Sequence, residues 1–269
     1  MLSNLHTHST FCDGRNTPEQ IVLAALEKGF SSIGFSGHAY TPFDLRYCMK
    51  DTDGYIQEVK RLKEKYGKDI RIYLGIEEDS FALIDRNAFD YIIGSSHYFR
   101  SNGEYFPIDS GGVYFKRCLE IFDHNVLDLA NCYYTNFCSY IKARKPDIIG
   151  HFDLITKFDE SEAPLFLNNA DYNRIAEKFI AEAASANCIF EVNTGAIARG
   201  LRTSPYPSEN LLYALKKLDA KITLSSDSHS AESLDFAFDE TKHRLLEIGF
   251  RYCYVLFDGE FTKQRISFS

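Results

Sequence analysis

The chain has 269 residues, 45% hydrophobic and 25% charged, proportions that belong to a folded domain and exclude a disordered segment or a fibrous repeat. A formal net charge of -8, from 30 basic and 38 acidic residues, disfavours a sequence-independent grip on nucleic acid. No apolar run approaches the roughly 18 residues of a membrane helix, and a strand-like pattern from Leu2 leaves no room for a signal peptide, so the cytoplasm is expected, with no membrane partner.

Short β-branched runs alternate with longer amphipathic segments along the chain. A first strand is expected at residues 2–5 and a helix at 17–28, where Thr17 caps, Pro18 takes the first helical position, and Ile21, Val22, Ala25 and Leu26 form the apolar stripe. A strand at 32–35, a helix at 53–66 and strands at 70–76 and 91–94 follow, with Gly29 and Gly67 as helix stops. Residues 98–145 break the rhythm: a loop over 101–112 precedes one aromatic-rich helix over 113–142, and the segment reads as an insertion on one face. The alternation then resumes with strand 147–149, helix 169–186, strand 189–193, helix 208–218, strand 221–225, helix 231–248 stopped by Gly249, and a final strand at 252–257. Repeated strand-then-helix units without a linker predict a single α/β domain around a parallel sheet.

Some features carry no chemistry. Asp51-Thr52-Asp53-Gly54 lacks the glycine and glutamate of a calcium loop, having Ile56 and Leu62 at those positions. No glycine-rich phosphate loop is present. Seven cysteines, an odd count without a CxxC pair, are expected to be reduced and structural.

The histidines carry the signal. Of eight, His6, His38, His97, His151 and His229 each follow a predicted strand within a few residues, and His8 lies two beyond His6. Parallel strands bring their C-terminal ends to one face, so these six converge, while His124 and His243 fall on helical segments and read as ordinary surface residues. Alternation along extended backbone puts His6 and His8 on one side, able to clasp a cation at about 2.1 Å. Asp13, Asp227 and one of Glu77 and Glu78 join them, because strand neighbours point to opposite faces. Asp13, followed by Gly14, equally suits a loop charge.

With Glu77 as the inward carboxylate there are nine donors: His6, His8, Asp13, His38, Glu77, His97, His151, Asp227 and His229. That exceeds the four of a structural zinc site and calls for more than one ion. Imidazole and carboxylate without thiolate suit divalent Zn, Mn or Fe. Three such ions would carry about +6 against about -3 from the carboxylates, leaving about +2 after one bound hydroxide, a balance suited to a phosphate monoester dianion.

These residues resemble the PHP family, the polymerase and histidinol phosphatase domain proteins, and within it the histidinol-phosphate phosphatase branch. The matching motifs are His6-Thr7-His8 with Asp13-Gly14, Ser36-Gly37-His38, Gly75-Ile76-Glu77, Gly94-Ser95-Ser96-His97, Gly150-His151-Phe152-Asp153, Glu191-Val192-Asn193-Thr194 and Ser226-Asp227-Ser228-His229. The resemblance implies a distorted (β/α)7 barrel with two or three metals at the C-terminal strand ends, and it selects Glu77. By position, His6, His8, Glu77 and Asp227 would hold one ion, Glu77, His97 and His151 a second, and Asp13, His38 and His229 a third. The implied reaction is hydrolysis of L-histidinol phosphate in histidine biosynthesis, by in-line attack of a metal-bridging hydroxide and without a phosphoenzyme. Asp227 and His229 are candidates to protonate the leaving alkoxide.

Relatives carry an arginine shortly after the Glu-x-Asn-Thr strand. Here Arg199 stands about one position away from that place, with Arg202 nearby, and either could clamp phosphate. The competing functions are a phosphoesterase of the same family acting on nucleotides or nucleic acid ends, disfavoured by the acidic balance, a metal-dependent deaminase or amidase, and a noncatalytic metal-stabilised regulatory module, which would lack ligands. A Ser-His-Asp relay within Ser226-Asp227-Ser228-His229 is excluded, since side chains so close in sequence rarely form one.

Overall fold

Apolar runs place the strands, and side-chain caps by Thr17, Asp51, Asn125 and Asn169 start four of the helices. A computed structural model describes residues 1–111, 113–160 and 164–268. In its first half, β1 (Ser3–Asn4), α1 (Pro18–Glu27), β2 (Ser32–Phe35), α2 (Thr52–Tyr66), β3 (Arg71–Asp79) and β4 (Tyr91–Ser95) alternate, except that only a short 3-10 turn joins β3 to β4. Then come the hairpin β5 (Tyr98–Ser101) and β6 (Glu104–Pro107), helices α3 (Val113–Glu120) and α4 (Val126–Arg144), β7 (Ile148–Ile149), α5 (Ala170–Ala184) and β8 (Ile189–Asn193). The chain ends with α6 (Gly195–Ala198), α7 (Glu209–Lys217), β9 (Ile222–Ser225), α8 (Phe238–Ile248) and the hairpin β10 (Tyr252–Phe257) and β11 (Glu260–Arg265). α1 starts as its sequence dictates, with Thr17 and Gln20 forming a reciprocal capping box and Ile21, Val22 and Ala25 buried.

Seven parallel strands in the order β1-β2-β3-β4-β7-β8-β9 form a distorted, nearly closed (β/α)7 barrel, one α/β domain. Closure occurs beyond the first and last strands. The His8 N–H donates to the Ser228 carbonyl at 2.8 Å and the Ser228 N–H to the His6 carbonyl at 3.1 Å. Below them, buried Asn4 donates to Ser226 Oγ at 2.7 Å and to the Leu234 carbonyl at 3.0 Å. The seam is therefore held at the level of the candidate ligands.

Apolar layers fill both sides of this wall. Ile21, Val22, Val59 and Leu62 pack α1 and α2 on the first strands, and Tyr134, Phe137, Phe179 and Leu212 pack α4, α5 and α7 on the last ones. Inside, Tyr91 donates its hydroxyl to the Leu5 carbonyl, and its ring occupies the space left by two glycines: a Cβ built on Gly75 would lie 2.2 Å from Tyr91 Cζ. The β10–β11 hairpin covers the N-terminal strand ends, where Arg71 Nε donates to Asp258 at 3.0 Å. The opposite end is left to the loops. No helix among the described residues is long and apolar enough to cross a membrane.

Several expected boundaries differ. The single helix over 113–142 is two helices, because Asp123 and His124 take left-handed backbone (φ 49° and 62°) and Asn125 caps α4 through Leu127 and Asp128. His124 thus lies in the break. The expected loop over 101–112 contains β6, reached through Asn102-Gly103 with φ of 50° and 87°, the pairing that suits a tight hairpin. Helix 231–248 begins as an α-helix only at Phe238, after a 3-10 turn over Ala231–Ser233. Strand 70–76 runs on to Asp79, so Glu77 lies within it, and strand 252–257 gains β11 as an unforeseen partner.

Candidate active site

The extended backbone after β1 is fixed by Thr7, whose N–H donates to Ser36 Oγ at 3.1 Å and whose hydroxyl donates to the Gly34 carbonyl at 2.5 Å. His6 and His8 flank it, and both imidazoles are fully buried. His6 Nε2 lies 3.4 Å from Glu77 and 3.6 Å from Asp227, and His8 Nε2 lies 3.0 Å from Asp227 and 3.7 Å from Glu77. The same Glu77 carboxylate faces His38 Nδ1 at 2.7 Å, His151 Nε2 at 3.1 Å and His97 Nε2 at 3.5 Å. One carboxylate thus borders five imidazoles. Its neighbour Glu78 turns outward to the Arg144 guanidinium at 2.8 and 2.9 Å, as strand alternation requires.

Asp13 lies at the mouth, 3.3 Å from His229 Nε2 and 3.7 Å from both His8 Nδ1 and His38 Nε2. All nine sequence-derived donors meet in this cluster. Sets able to share an ion are His8, Asp13, His38 and His229; His6, His8 and Glu77; and His38, Glu77 and His97. His38, expected only beside Asp13, faces Asp13 and Glu77 with different ring nitrogens.

Burial alone would keep the carboxylates protonated, but neighbours reverse this. Against burial, His38, His6 and His97 hold Glu77 well below the usual carboxylate range, and Arg199 and His6 do the same for Asp227. Burial, then His229 and His38, push His8 down to about 3, leaving it neutral. His97 goes the other way: Glu77 and Asp79 outweigh burial and push it up to about 9. His6 is likewise raised, with Glu191, Glu77 and Asp227 outweighing burial.

This set fits divalent cations. His6 Nε2, buried between Glu77 and Asp227, has no hydrogen-bond partner among the described residues, a costly condition that ligation would relieve. The donors are nitrogen and oxygen. Cys12 Sγ approaches His8 Nδ1 at 3.5 Å, yet burial, reinforced by Asp13, pushes its thiol up to about 12 and so disfavours the ligating thiolate.

Two residues beneath the donors went unassigned in the sequence. Glu191 is fully buried; Oε1 receives His6 Nδ1 at 2.5 Å and the Ser225 hydroxyl at 2.5 Å, while Oε2 receives the His151 N–H at 2.8 Å and Asn193 Nδ2 at 2.9 Å. Asp79 Oδ2 accepts the His97 N–H at 3.0 Å and faces its Nδ1 at 3.3 Å. Such partners fix ring orientation and tautomer. The signal for Glu191 was its place in the Glu-x-Asn-Thr strand, and for Asp79 its alternation with Glu77.

A cavity of about 410 Å³ opens over the cluster, lined by His97, His151, Arg199 and Asp227 together with Tyr47, Tyr98, Asp109 and Lys157, a size suited to a small ligand. Arg199 donates to Asp227 Oδ2 at 3.1 Å and to the Asp227 carbonyl at 3.2 Å, with its side chain still 31% exposed. Arg202 does not line this cavity. It is buried, stacked over Tyr206 at 4.4 Å, and bonded to Thr156 and to Ser204 at 3.1 Å.

Comparison with known proteins fits this geometry. The family model described as PHP domain matches residues 4–195. A probable histidinol-phosphatase of Schizosaccharomyces pombe is 29% identical over 267 residues, covering 91% of this chain and 86% of that protein. The histidinol-phosphatase of Bacillus subtilis is 26% identical over 261 residues, covering 87% and 96%. Among solved structures, a histidinol phosphate phosphatase of Lactococcus lactis, complexed with zinc, L-histidinol and phosphate, superposes with a TM-score of 0.74 at 21% identity, covering 97% of this chain and 99% of that one.

Proposed function

We propose that this chain, which belongs to the PHP domain family, is a metal-dependent phosphomonoesterase that hydrolyses L-histidinol phosphate to L-histidinol and phosphate. The observation that carries the reading is the convergence of nine imidazole and carboxylate donors in one cluster, five of the imidazoles bordering Glu77, beside Arg199 and a small-molecule cavity. Relatives named histidinol-phosphatase that match over most of their length supply the substrate.

His6, His8, Glu77 and Asp227 would hold one divalent ion, Glu77, His97 and His151 a second, and Asp13, His38 and His229 a third; Zn, Mn and Fe all suit these donors. Such ions supply Lewis acidity toward phosphoryl oxygens and lower the pKa of water. The chain's own residues do the rest. Arg199, anchored on Asp227, directs its guanidinium at the cavity and neutralises equatorial phosphoryl charge. Glu191 and Asp79 keep the His6 and His97 rings aimed, and Glu191 also fixes the backbone at His151. Proton delivery to the leaving alkoxide falls to Asp227 or His229, and His229 suits it better, since Asp13 and Asp227 raise its pKa against burial. His229 Nε2 cannot bind an ion and donate a proton at once, so proton delivery from that atom belongs to a two-ion site and its ligation to a three-ion site.

The test is phosphate release by the metal-loaded protein from L-histidinol phosphate and from simple phosphomonoesters. Histidinol phosphate should be preferred by at least about 100-fold in kcat/KM, and Asp227→Asn should lose about 100-fold or more with its circular dichroism unchanged. Full activity after exhaustive chelation would overturn the reading.

A further inference from the structure

The cavity lining carries two carboxylates that the proposed hydrolysis leaves unused, Asp44 and Asp109. They differ in what they can still bind. Asp44 is satisfied: Arg46 donates Nε to Oδ1 at 2.8 Å and Nη2 to Oδ2 at 2.5 Å, the Tyr98 hydroxyl donates to Oδ2 at 2.6 Å, and the Asp44 side chain is 8% exposed. Asp109 gives Oδ2 to Lys157 Nζ at 3.0 Å, while its Oδ1 accepts no side-chain hydrogen bond among the described residues and its side chain is 25% exposed.

Asp109 is also well placed along the chain. The N–H of Ile108 donates to the His97 carbonyl at 2.9 Å, which pins the residue before Asp109 to the backbone of a candidate ligand. Lys157, from the turn after His151, holds Oδ2 and so restrains the carboxylate. Tyr47 and Tyr98, whose stacked rings lie 6.3 Å apart, line the same cavity.

We propose that Asp109 reads the ammonium of the substrate, which makes the site selective for phosphate esters of vicinal amino alcohols. This rests on the hydrolysis proposed above. In such an ester two carbons separate the ammonium from the ester oxygen, so the group that binds it must share a cavity with the phosphoryl site. Arg46, Lys157 and Arg199, the cationic side chains of the lining, repel a cation, while Asp13 and Asp227 belong to the candidate metal cluster. A carboxylate with one free oxygen is the complement the ammonium needs, and a charge-assisted hydrogen bond there separates amine-bearing from amine-free esters.

The experiment measures kcat/KM of the metal-loaded protein for L-histidinol phosphate and for the same ester with hydrogen in place of the amine. The wild-type preference for the amine should be about 30-fold or more, and Asp109→Asn should remove most of it, whatever the absolute rates. A purely structural Asp109–Lys157 bridge would lower both rates together, so an unchanged ratio in Asp109→Asn overturns the proposal. If that variant does not fold, the wild-type ratio decides: a value near one overturns the proposal, and a large ratio supports it. Hydrolysis of neither ester would sink the phosphatase reading itself and this one with it, an outcome distinct from hydrolysis of both without preference.

Discussion

Glu191 does not itself line the cavity, yet it stands directly behind two candidate ligands, His6 and His151. Its two oxygens take four hydrogen bonds, from His6, Ser225, His151 and Asn193. In Glu191→Gln one of these acceptors becomes an NH2 donor facing another donor. We expect apparent affinity for the first equivalent of metal to fall by about 10- to 100-fold, measured by competition with a chromophoric chelator. Unchanged affinity would remove the orienting role. At this scale the donor types were legible, because imidazole and carboxylate advertise their chemistry wherever they stand. Partners were not: Glu191 reaches His6 across 185 positions and Ser225 across 34, and no local pattern records such a meeting. Arg202 shows the same limit. Three positions from Arg199, it turns to Tyr206 and Thr156 instead.

At the scale of elements, the barrel interior depends on glycine where Tyr91 crosses it. Gly75→Ala would place a methyl 2.2 Å from Tyr91 Cζ, in a ring that is 1% exposed and has no room to move. A loss of about 1–3 kcal/mol is expected, read from the urea midpoint at constant slope; an unchanged midpoint would mean that the interior relaxes freely. Strand and helix positions were legible because periodicity is local. Asn102-Gly103 and Asp123-His124-Asn125 were also legible in principle, since left-handed backbone and an Asn cap carry residue signatures. The first falls within the segment expected to be a loop, and the second within a long aromatic-rich segment that reads as one helix. The β10–β11 pairing follows from Asp258-Gly259, another hairpin signature overlooked near the chain end.

For the whole molecule, the metal-free cluster balances buried carboxylates partly with protons on imidazole. His97, raised to about 9, contributes stability that is full below the ordinary imidazole value near 6.5 and is lost as pH rises through about 9. A cation displaces that proton, so metal binding strengthens as pH rises. The gain in Tm on adding stoichiometric divalent metal should therefore grow between pH about 6 and about 9, measured by thermal unfolding with and without chelator. A gain that shrinks over this range would contradict the proton count.

The sequence by itself determined the repeating strand-helix units, the family and the inventory of donors, because periodicity, motif order and residue chemistry are local properties of the chain. Only the tertiary structure decided which donors share an oxygen, that Glu191 and Asp79 stand behind them, and that Asp109 rather than Asp44 keeps a free acceptor among the described residues. Those outcomes depend on closing the barrel between His6-Thr7-His8 and Ser228, where segments more than two hundred positions apart are fixed within hydrogen-bond distance.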